Sequence, residues 1–369
     1  MTETKLPVVA VIPSLNPDEK LLGTVHGLQA QGFDQIILVD DGSRDACRPC
    51  FDQLEAEGCR VLRHEVNRGK GRALKTAFAA YLQDYDLAEY VGVVTADADG
   101  QHLPEDIRKT AEALVQSATG EQSAPPRGQL VLGTRNFDEP QVPFKSRNGN
   151  KITTEVFQLL YGKRINDTQT GLRAISNAFL HTCLEVKGER FEYEINMLIA
   201  AVRAKTDIRE VLIRTVYFND NRETHFHPVK DSLKIYGVML GSFLRFACSG
   251  LVSVVVDQGL FALLQKLVFR ALSAGQAILW ATLLARAVSS LLNYSMNRSL
   301  VFQETGGAGK SLARYYGLCV CQAAASALGV AALHALTAAD PSVLKLLVDT
   351  VLFFVSYRVQ QGWVFRKEG

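Results

Sequence analysis

Two kinds of hydrophobic pattern divide the chain. From residue 241 onward apolar residues continue in long stretches, 243–264, 277–296, 315–336 and 343–357, interrupted by few charges. Each approaches or exceeds the roughly 20 residues that a helix needs to cross a hydrocarbon core, the fourth being the shortest. Four in succession with short connectors predict spanning helices rather than buried core helices. Upstream the pattern is broken and shorter. Apolar runs rich in β-branched residues at 8–12, 35–39, 90–95 and 130–132 read as strands buried on both faces. Helix-length stretches at 19–32, 47–57 and 71–82 lie between them, which predicts an α/β domain with a mainly parallel sheet. The expected organisation is an α/β domain over 1–228, a juxtamembrane linker over 229–242 and an all-α four-helix transmembrane domain over 243–369.

Charge orients the expected spans. Lys230, Lys234, Arg298, Lys310, Arg314, Arg358, Arg366 and Lys367 fall on one side of a four-span topology, while the other side holds mainly Lys266 and Arg270. The positive-inside rule then puts the N-terminal domain in the cytoplasm. A polar N-terminus running straight into a strand agrees with that, since it gives no sign of a cleaved signal peptide. Tyr294-Ser-Met-Asn-Arg-Ser-Leu-Val-Phe302 can be laid over Tyr357-Arg-Val-Gln-Gln-Gly-Trp-Val-Phe365, so the membrane part reads as two helical hairpins related by an axis along the membrane normal. Asp257 and Arg286 fall within expected spans. Ionisable groups there are costly unless partnered, so the two are expected to pair, either to lock the bundle or to meet a lipid phosphate or sugar.

Composition adds little and excludes some classes. The 369 residues are 47% hydrophobic, too apolar for an ordinary soluble enzyme, and the net charge of +2 with no Lys/Arg block longer than two residues gives no reason to expect nucleic acid. Seven scattered cysteines argue against a disulfide framework. Cys47 and Cys50 form a C-x-x-C with no second pair beside it, which fits a loop better than a zinc or redox site.

The polar residues of the first domain cluster where a parallel sheet presents its ligands. Pro13-Ser14-Leu15-Asn16 follows the first strand, Asp40-Asp41-Gly42-Ser43 the second, and Asp97-Ala98-Asp99-Gly100-Gln101-His102 the strand at 90–95. Asp97 and Asp99 are spaced so that a turn aims both at one hard cation, Mg²⁺ or Mn²⁺, able to bridge a diphosphate. Lys70 and Arg72 sit in a glycine-rich turn opening a helix, suited to nucleotide phosphates, yet no Walker A pattern is present and ATP hydrolysis is disfavoured.

Four ordered motifs carry a family resemblance: Val39-Asp40-Asp41-Gly42-Ser43-Arg44-Asp45, Asn67-Arg68-Gly69-Lys70-Gly71-Arg72-Ala73, Asp97-Ala98-Asp99-Gly100-Gln101-His102 and Asp167-Thr168-Gln169-Thr170-Gly171-Leu172-Arg173. Over residues 7–240 the chain resembles inverting family 2 glycosyltransferases, more narrowly those of the dolichol-phosphate mannosyltransferase and bacterial polyprenyl-phosphate type. The resemblance implies a Rossmann-like glycosyltransferase A fold and hexosyl transfer from a UDP- or GDP-sugar to a polyprenyl (undecaprenyl or dolichyl) phosphate at the inner, plasma membrane. It implies a nucleotide-sugar site at Pro13, Asn16, Asp40, Asp41, Lys70, Asp97, Ala98 and Asp99, with Asp40-Asp41 at the base or ribose. A metal at Asp97, Asp99 and Gln101 follows in the same way, as do basic contacts to the acceptor phosphate at Arg135 and Arg147. The remaining chain resembles four-span GtrA-like modules through Asn297-Arg298-Ser-Leu-Val-Phe302.

A phosphate monoester with a second pKa near ~6 is already largely dianionic at neutral pH, so transfer to it needs charge compensation rather than a strong base. Asp99, Asp167, Arg135 and Arg147 are the expected catalytic set. Asp167 is the carboxylate expected nearest the sugar, orienting a hydroxyl or acting as base toward an alcohol. Glu192 and Glu194 are alternatives for that work, and His225 is a candidate acceptor-loop ligand. Segment 147–162 fits an amphipathic helix at the membrane surface or one packed on the sheet, and residues 226–232 offer a second membrane contact. Rival readings are a lipid-sugar flippase with a regulatory soluble domain, and a transferase acting on a lipid alcohol or a growing polysaccharide. Gln360-Gln361-Gly362-Trp363 lacks the Arg of the Gln-x-x-Arg-Trp of processive synthases.

Overall fold

A computed structural model describes residues 5–119, 128–139, 142, 144–214, 228–304 and 306–365. The chain forms two compact units, Met1–Val238 and Met239–Gly369.

The first unit is built on a seven-stranded sheet of order β3-β2-β1-β4-β6-β5-β7. Its strands are β1 (Val8–Ser14), β2 (Ile36–Asp40), β3 (Arg60–Arg63), β4 (Gly92–Thr95), β5 (Gln129–Arg135), β6 (Arg173–Ser176) and β7 (Asp207–Ile213). Only β6 runs antiparallel to its neighbours, pairing with β4 and β5. All of β2 and β4 and all but one residue of β1 are buried, because helices cover both faces and each strand needs an unbroken apolar run. The helices are α1 (Lys20–Ala30), α2 (Arg48–Ala56), α3 (Lys70–Asp84), α4 (Pro104–Thr119), α5 (Phe144–Tyr161), α6 (Asn177–Glu185) and α7 (Glu192–Ala204). Strands β3, β6 and β7 lie outside the four read from hydrophobic runs. β3 and β6 are four residues each, β3 with an arginine at both ends and β6 with one at its start, and β7 is mostly exposed, with Ile208 and Ile213 buried.

Order reverses at β1, which has β2 on one side and β4 on the other, so their carboxyl ends form the crevice where such sheets bind ligands. Ser14 lies opposite Asp40 and Val11 opposite Thr95, which sets the loops after these strands side by side. β6 adds a fourth: Arg173 pairs with Thr95, and the Thr95 hydroxyl donates to Gly171 O at 2.7 Å, bringing the segment 167–173 over β4.

The second unit contains α8 (Pro228–Leu263, which begins in the first unit), α9 (Ala274–Met296), α10 (Ala308–Thr337) and α11 (Pro341–Val359). The juxtamembrane segment expected as a linker is the first part of α8, since after Pro228, a residue suited to a helix start, nothing breaks the helix. Among the described residues three stretches are long and apolar enough to cross a membrane, Leu233–Val268, Ala274–Val301 and Ala308–Thr337. The fourth expected span, α11, is not among these three. α11 is helical for 19 residues but carries Lys345, Asp349 and Arg358.

The internal repeat reappears in the packing. Both repeat segments leave α-helix for a π-helical turn at the matching residue, Asn297–Val301 after α9 and Gln360–Val364 after α11. The buried Asn297 donates its side-chain amide to Gln360 Oε1 at 3.1 Å. Tyr294 packs on Phe365 at 5.7 Å and Tyr357 on Phe302 at 5.8 Å, while Phe302 and Phe365 stack on each other. Asp257 and Arg286 pair at 3.4 Å as expected, and Ser289 donates to the same carboxylate at 2.8 Å.

Candidate active site

Every loop at the β1–β2–β4 crevice is braced by a short polar side chain. Asn16, at φ 51°, donates its backbone N–H to Ser43 Oγ and accepts from Arg44 N through Oδ1, which ties the β1 and β2 loops together. Asp40 accepts from Ser43 N and closes the turn. Asp41 is 4% exposed, and its two oxygens take Arg68 N at 2.9 Å, Gly69 N at 2.7 Å and His64 Nδ1 at 2.7 Å. The Asp40-Asp41 pair, expected at the base or ribose, thus spends these oxygens on the protein itself. Asp41 shapes the Gly-rich turn that starts α3. Gly69 sits there at φ 99°, and a Cβ would lie 2.4 Å from Glu189 O. Pro13, the last residue but one of β1, is half-buried. His64, absent from the expected set, gives no sequence signal beyond its place one residue after β3.

That turn delivers Lys70 to the acidic pair. Lys70 Nζ lies 2.6 Å from Asp97 Oδ1 and 3.0 Å from Glu194 Oε1. Burial opposes the charge on Asp97, but Lys70, with smaller help from His102 and Arg135, outweighs it and holds the carboxyl at about 2. Asp99 shifts the other way, raised by burial and then by the neighbouring Asp97 charge, although Gln101 N donates to its Oδ1 at 3.0 Å. His102 is buried and held below the usual imidazole value by that burial, and its Nδ1 accepts from Asp97 N at 3.3 Å. Ala98 packs against the core, turning the carboxylates on either side of it toward the crevice edge. Gly171 lies against Asp97, where a Cβ would stand 2.4 Å from Oδ2.

Beside this cluster Arg135, the last residue of β5, makes a two-pronged pair with Asp167: Nε to Oδ2 at 2.7 Å and Nη2 to Oδ1 at 3.0 Å. Arg135 N and Gln169 N also donate to that carboxylate, which has no solvent exposure. Asp167, expected to orient a sugar hydroxyl, accepts from four donors and holds Arg135 in place. Arg135 also lies over the Phe137 ring at 5.0 Å, and Arg147, from α5, donates to Phe137 O and Glu139 O. The two arginines expected at an acceptor phosphate therefore frame one loop, 137–139. Arg173 is fully buried and holds α7 by donating to Glu194 O at 2.7 Å. His225 and the side chains of 226–232 lie outside the described residues.

A model of the family described as glycosyl transferase family 2 matches residues 9–166, and one described as the GtrA/DPMS transmembrane domain matches residues 245–365. The UDP-N-acetylglucosamine–dolichyl-phosphate N-acetylglucosaminyltransferase of Methanococcus voltae is 31% identical over 229 residues, covering 57% of this chain and 86% of that one. The chain belongs to the family 2 glycosyltransferases. This glycosyltransferase is a membrane protein, with its transferase unit followed by a GtrA/DPMS membrane domain. Other relatives are the polyprenol monophosphomannose synthase of Mycolicibacterium smegmatis, 28% identical over 51% of this chain and 69% of that one, and the dolichyl-phosphate β-glucosyltransferase of Saccharomyces cerevisiae, 28% identical over 48% and 56%.

Asp97, Asp99 and Gln101 fit a hard cation on the chemistry of the glycosyltransferase's own residues. Their side chains offer oxygens, and the mutual opposition of two half-buried carboxylates is a negative surplus that a divalent ion matches. Among the described residues no three His, Cys, Asp or Glu side chains gather as a metal cage. Two carboxylates suit an ion that takes its other ligands from water and a diphosphate.

Proposed function

We propose that this glycosyltransferase moves a hexose from a UDP- or GDP-sugar to the phosphate of a polyprenyl phosphate, with inversion, at the cytoplasmic face of the inner membrane. The observation that carries this reading is the pairing, at one crevice, of the Asp97/Asp99 acidic edge with the Arg135 guanidinium fixed by Asp167. The membrane domain and the dolichyl- and polyprenol-phosphate relatives support the acceptor class.

An acceptor phosphate oxygen attacks the anomeric carbon opposite the leaving group. The bond from that carbon to the diphosphate oxygen breaks, and the nucleoside diphosphate departs. No proton moves if the acceptor is dianionic, which agrees with a site whose buried Asp167 is committed to an arginine. Arg135, with Arg147 supporting the loop beneath it, offsets repulsion between the two anionic reactants. Asp97, Asp99 and Gln101 would hold Mg²⁺ or Mn²⁺, which when bound neutralises charge on the departing diphosphate.

The test is sugar-lipid formation by purified protein with polyprenyl phosphate, Mg²⁺ or Mn²⁺ and a panel of nucleotide-sugars. Asp99→Asn is expected to lower the rate by about 100-fold or more. Undiminished product from that variant would refute the catalytic reading, and equal product from the free polyprenol would move the acceptor to a lipid alcohol.

A further inference from the structure

At the start of α3 one ammonium serves two carboxylates from different elements. Lys70 Nζ is 2.6 Å from Asp97, on the loop after β4, and 3.0 Å from Glu194, in the first turn of α7. All three side chains are largely buried, at 18%, 30% and 11% exposure. Hydrogen bonds onto backbone oxygens hold α7 and the segment before it: from α3, Arg72 N donates to Glu189 O at 3.0 Å and Lys75 Nζ to Gly188 O at 2.9 Å, and from β6, Arg173 Nη1 donates to Glu194 O at 2.7 Å. Asp41 fixes the other side by holding Gly69 N. Lys70 therefore reaches both carboxylates with little movement of its stem.

Asp97 cannot serve the ammonium and a divalent cation equally, since like charges at such separations repel strongly in a buried site. A buried ammonium stripped of its partner is costly as well. Glu194 answers the second problem, because its carboxylate is already in contact. We propose that Lys70 is the resident counter-ion of Asp97 in the donor-free enzyme, and that Glu194 is a positioning residue which retains Lys70 when the cation takes Asp97. This rests on the metal reading of Asp97 and Asp99. Cation binding is then conditional. Without a nucleoside diphosphate the ion must displace Lys70, whereas with one bound the released ammonium gains the phosphates as well as Glu194.

Mn²⁺ binding to the full-length protein in detergent, followed by the electron paramagnetic resonance signal of free Mn²⁺ with and without UDP or GDP, tests this without turnover. Lys70→Met is expected to bind Mn²⁺ about tenfold tighter in the absence of nucleotide, and to lose most of the tightening that nucleotide gives the wild type. Lys70→Gln serves the same purpose should the Met variant unfold. Glu194→Gln is expected to bind Mn²⁺ several-fold more weakly, and that loss should shrink to within about twofold in the Lys70→Met background. Wild-type affinity in both Lys70 variants, or an equal Glu194→Gln effect in both backgrounds, overturns the proposal while leaving the metal site standing. Wild-type protein that takes up no Mn²⁺, or Mn²⁺ binding that survives Asp97→Asn and Asp99→Asn, overturns the metal reading and this proposal with it.

Discussion

Replacing Asp167 by asparagine keeps the shape of the side chain and removes its charge. The Arg135 guanidinium would then face an amide NH₂ on one side, so two donors meet and one prong of the pair is lost. Breaking a fully buried ion pair costs about 3–5 kcal/mol. Asp167 has no exposure but Arg135 keeps 22%, so water recovers part of the loss and about 2–3 kcal/mol is expected. For a unit of this size each kcal/mol lowers the midpoint by roughly 2–4 °C, giving a fall of roughly 5–10 °C in the thermal unfolding of the transferase unit. Acceptor KM should rise, because a guanidinium held at one edge no longer points in one direction. Scanning fluorimetry in detergent and initial rates against polyprenyl phosphate measure the two effects. Arg135→Met/Asp167→Asn should be less damaging than the sum of the single changes, since the double variant buries no lone charge. An Asp167→Asn midpoint within about 2 °C of wild type, together with an unchanged acceptor KM, would show that the pair does not order Arg135.

Gly171→Ala places a methyl group 2.4 Å from Asp97 Oδ2, and since the clash is with a side chain the fold should yield rather than fail. Displacing Asp97 off its rotamer costs about 1 kcal/mol, expected to appear as weaker Mn²⁺ binding and a lower kcat with a nearly unchanged melting temperature. The acidic pair also predicts a pH dependence. Asp97 is lowered to about 2, so the stability it contributes is complete above its unfolded value near ~3.9 and lost as pH falls through 2. Asp99 is raised, so its ionisation costs stability that either protonation or a cation restores. The increment in unfolding temperature given by Mg²⁺ should therefore grow as pH rises through the carboxylate range, and a flat increment would contradict the assignment. In the membrane unit, Asn297→Ala removes the partner of Gln360 Oε1 and of the Ser249 hydroxyl, and a loss of about 1–3 kcal/mol in detergent stability is expected.

The runs at 8–12, 35–39, 90–95 and 130–132 marked β1, β2, β4 and β5 because both faces of those strands are buried and their composition shows it. β7 and the short β3 and β6 carry arginines and acids whose placement depends on neighbours far away in sequence. Arg173 illustrates this: its charge suggests a surface, yet Thr170 O and Glu194 O accept its protons in the interior. Asp97, Asp99 and Lys70 were legible as a group, since loops after parallel strands meet at the carboxyl edge. Which of the acids hold the loops was not legible. Asp41 and Asp99 look alike in sequence, and only the pairing of Asp41 with Gly69 N and His64 separates a brace from an acid left facing the crevice. The fourth apolar segment has the length of a short span, and the Lys345–Asp349 pair one turn apart lets α11 carry both charges as partners.

The Asn297–Gln360 contact has a consequence for how the membrane unit assembles and changes. Gln360 Oε1 takes its hydrogen bond from the other hairpin, so the hairpin that holds Gln360, inserted alone, brings this oxygen into an apolar setting without that donor, whereas Asn297 keeps Asn293 and Ser249 of its own hairpin. The seam between the halves is also a matter of reach: a short amide on one side meets a long one on the other. Two glutamines would crowd that gap and two asparagines would leave it open, so the two positions can vary only in concert. The same seam carries the Tyr294–Phe365, Tyr357–Phe302 and Phe302–Phe365 ring contacts, so the combined length of this pair joins ring size among the quantities the two halves must keep matched.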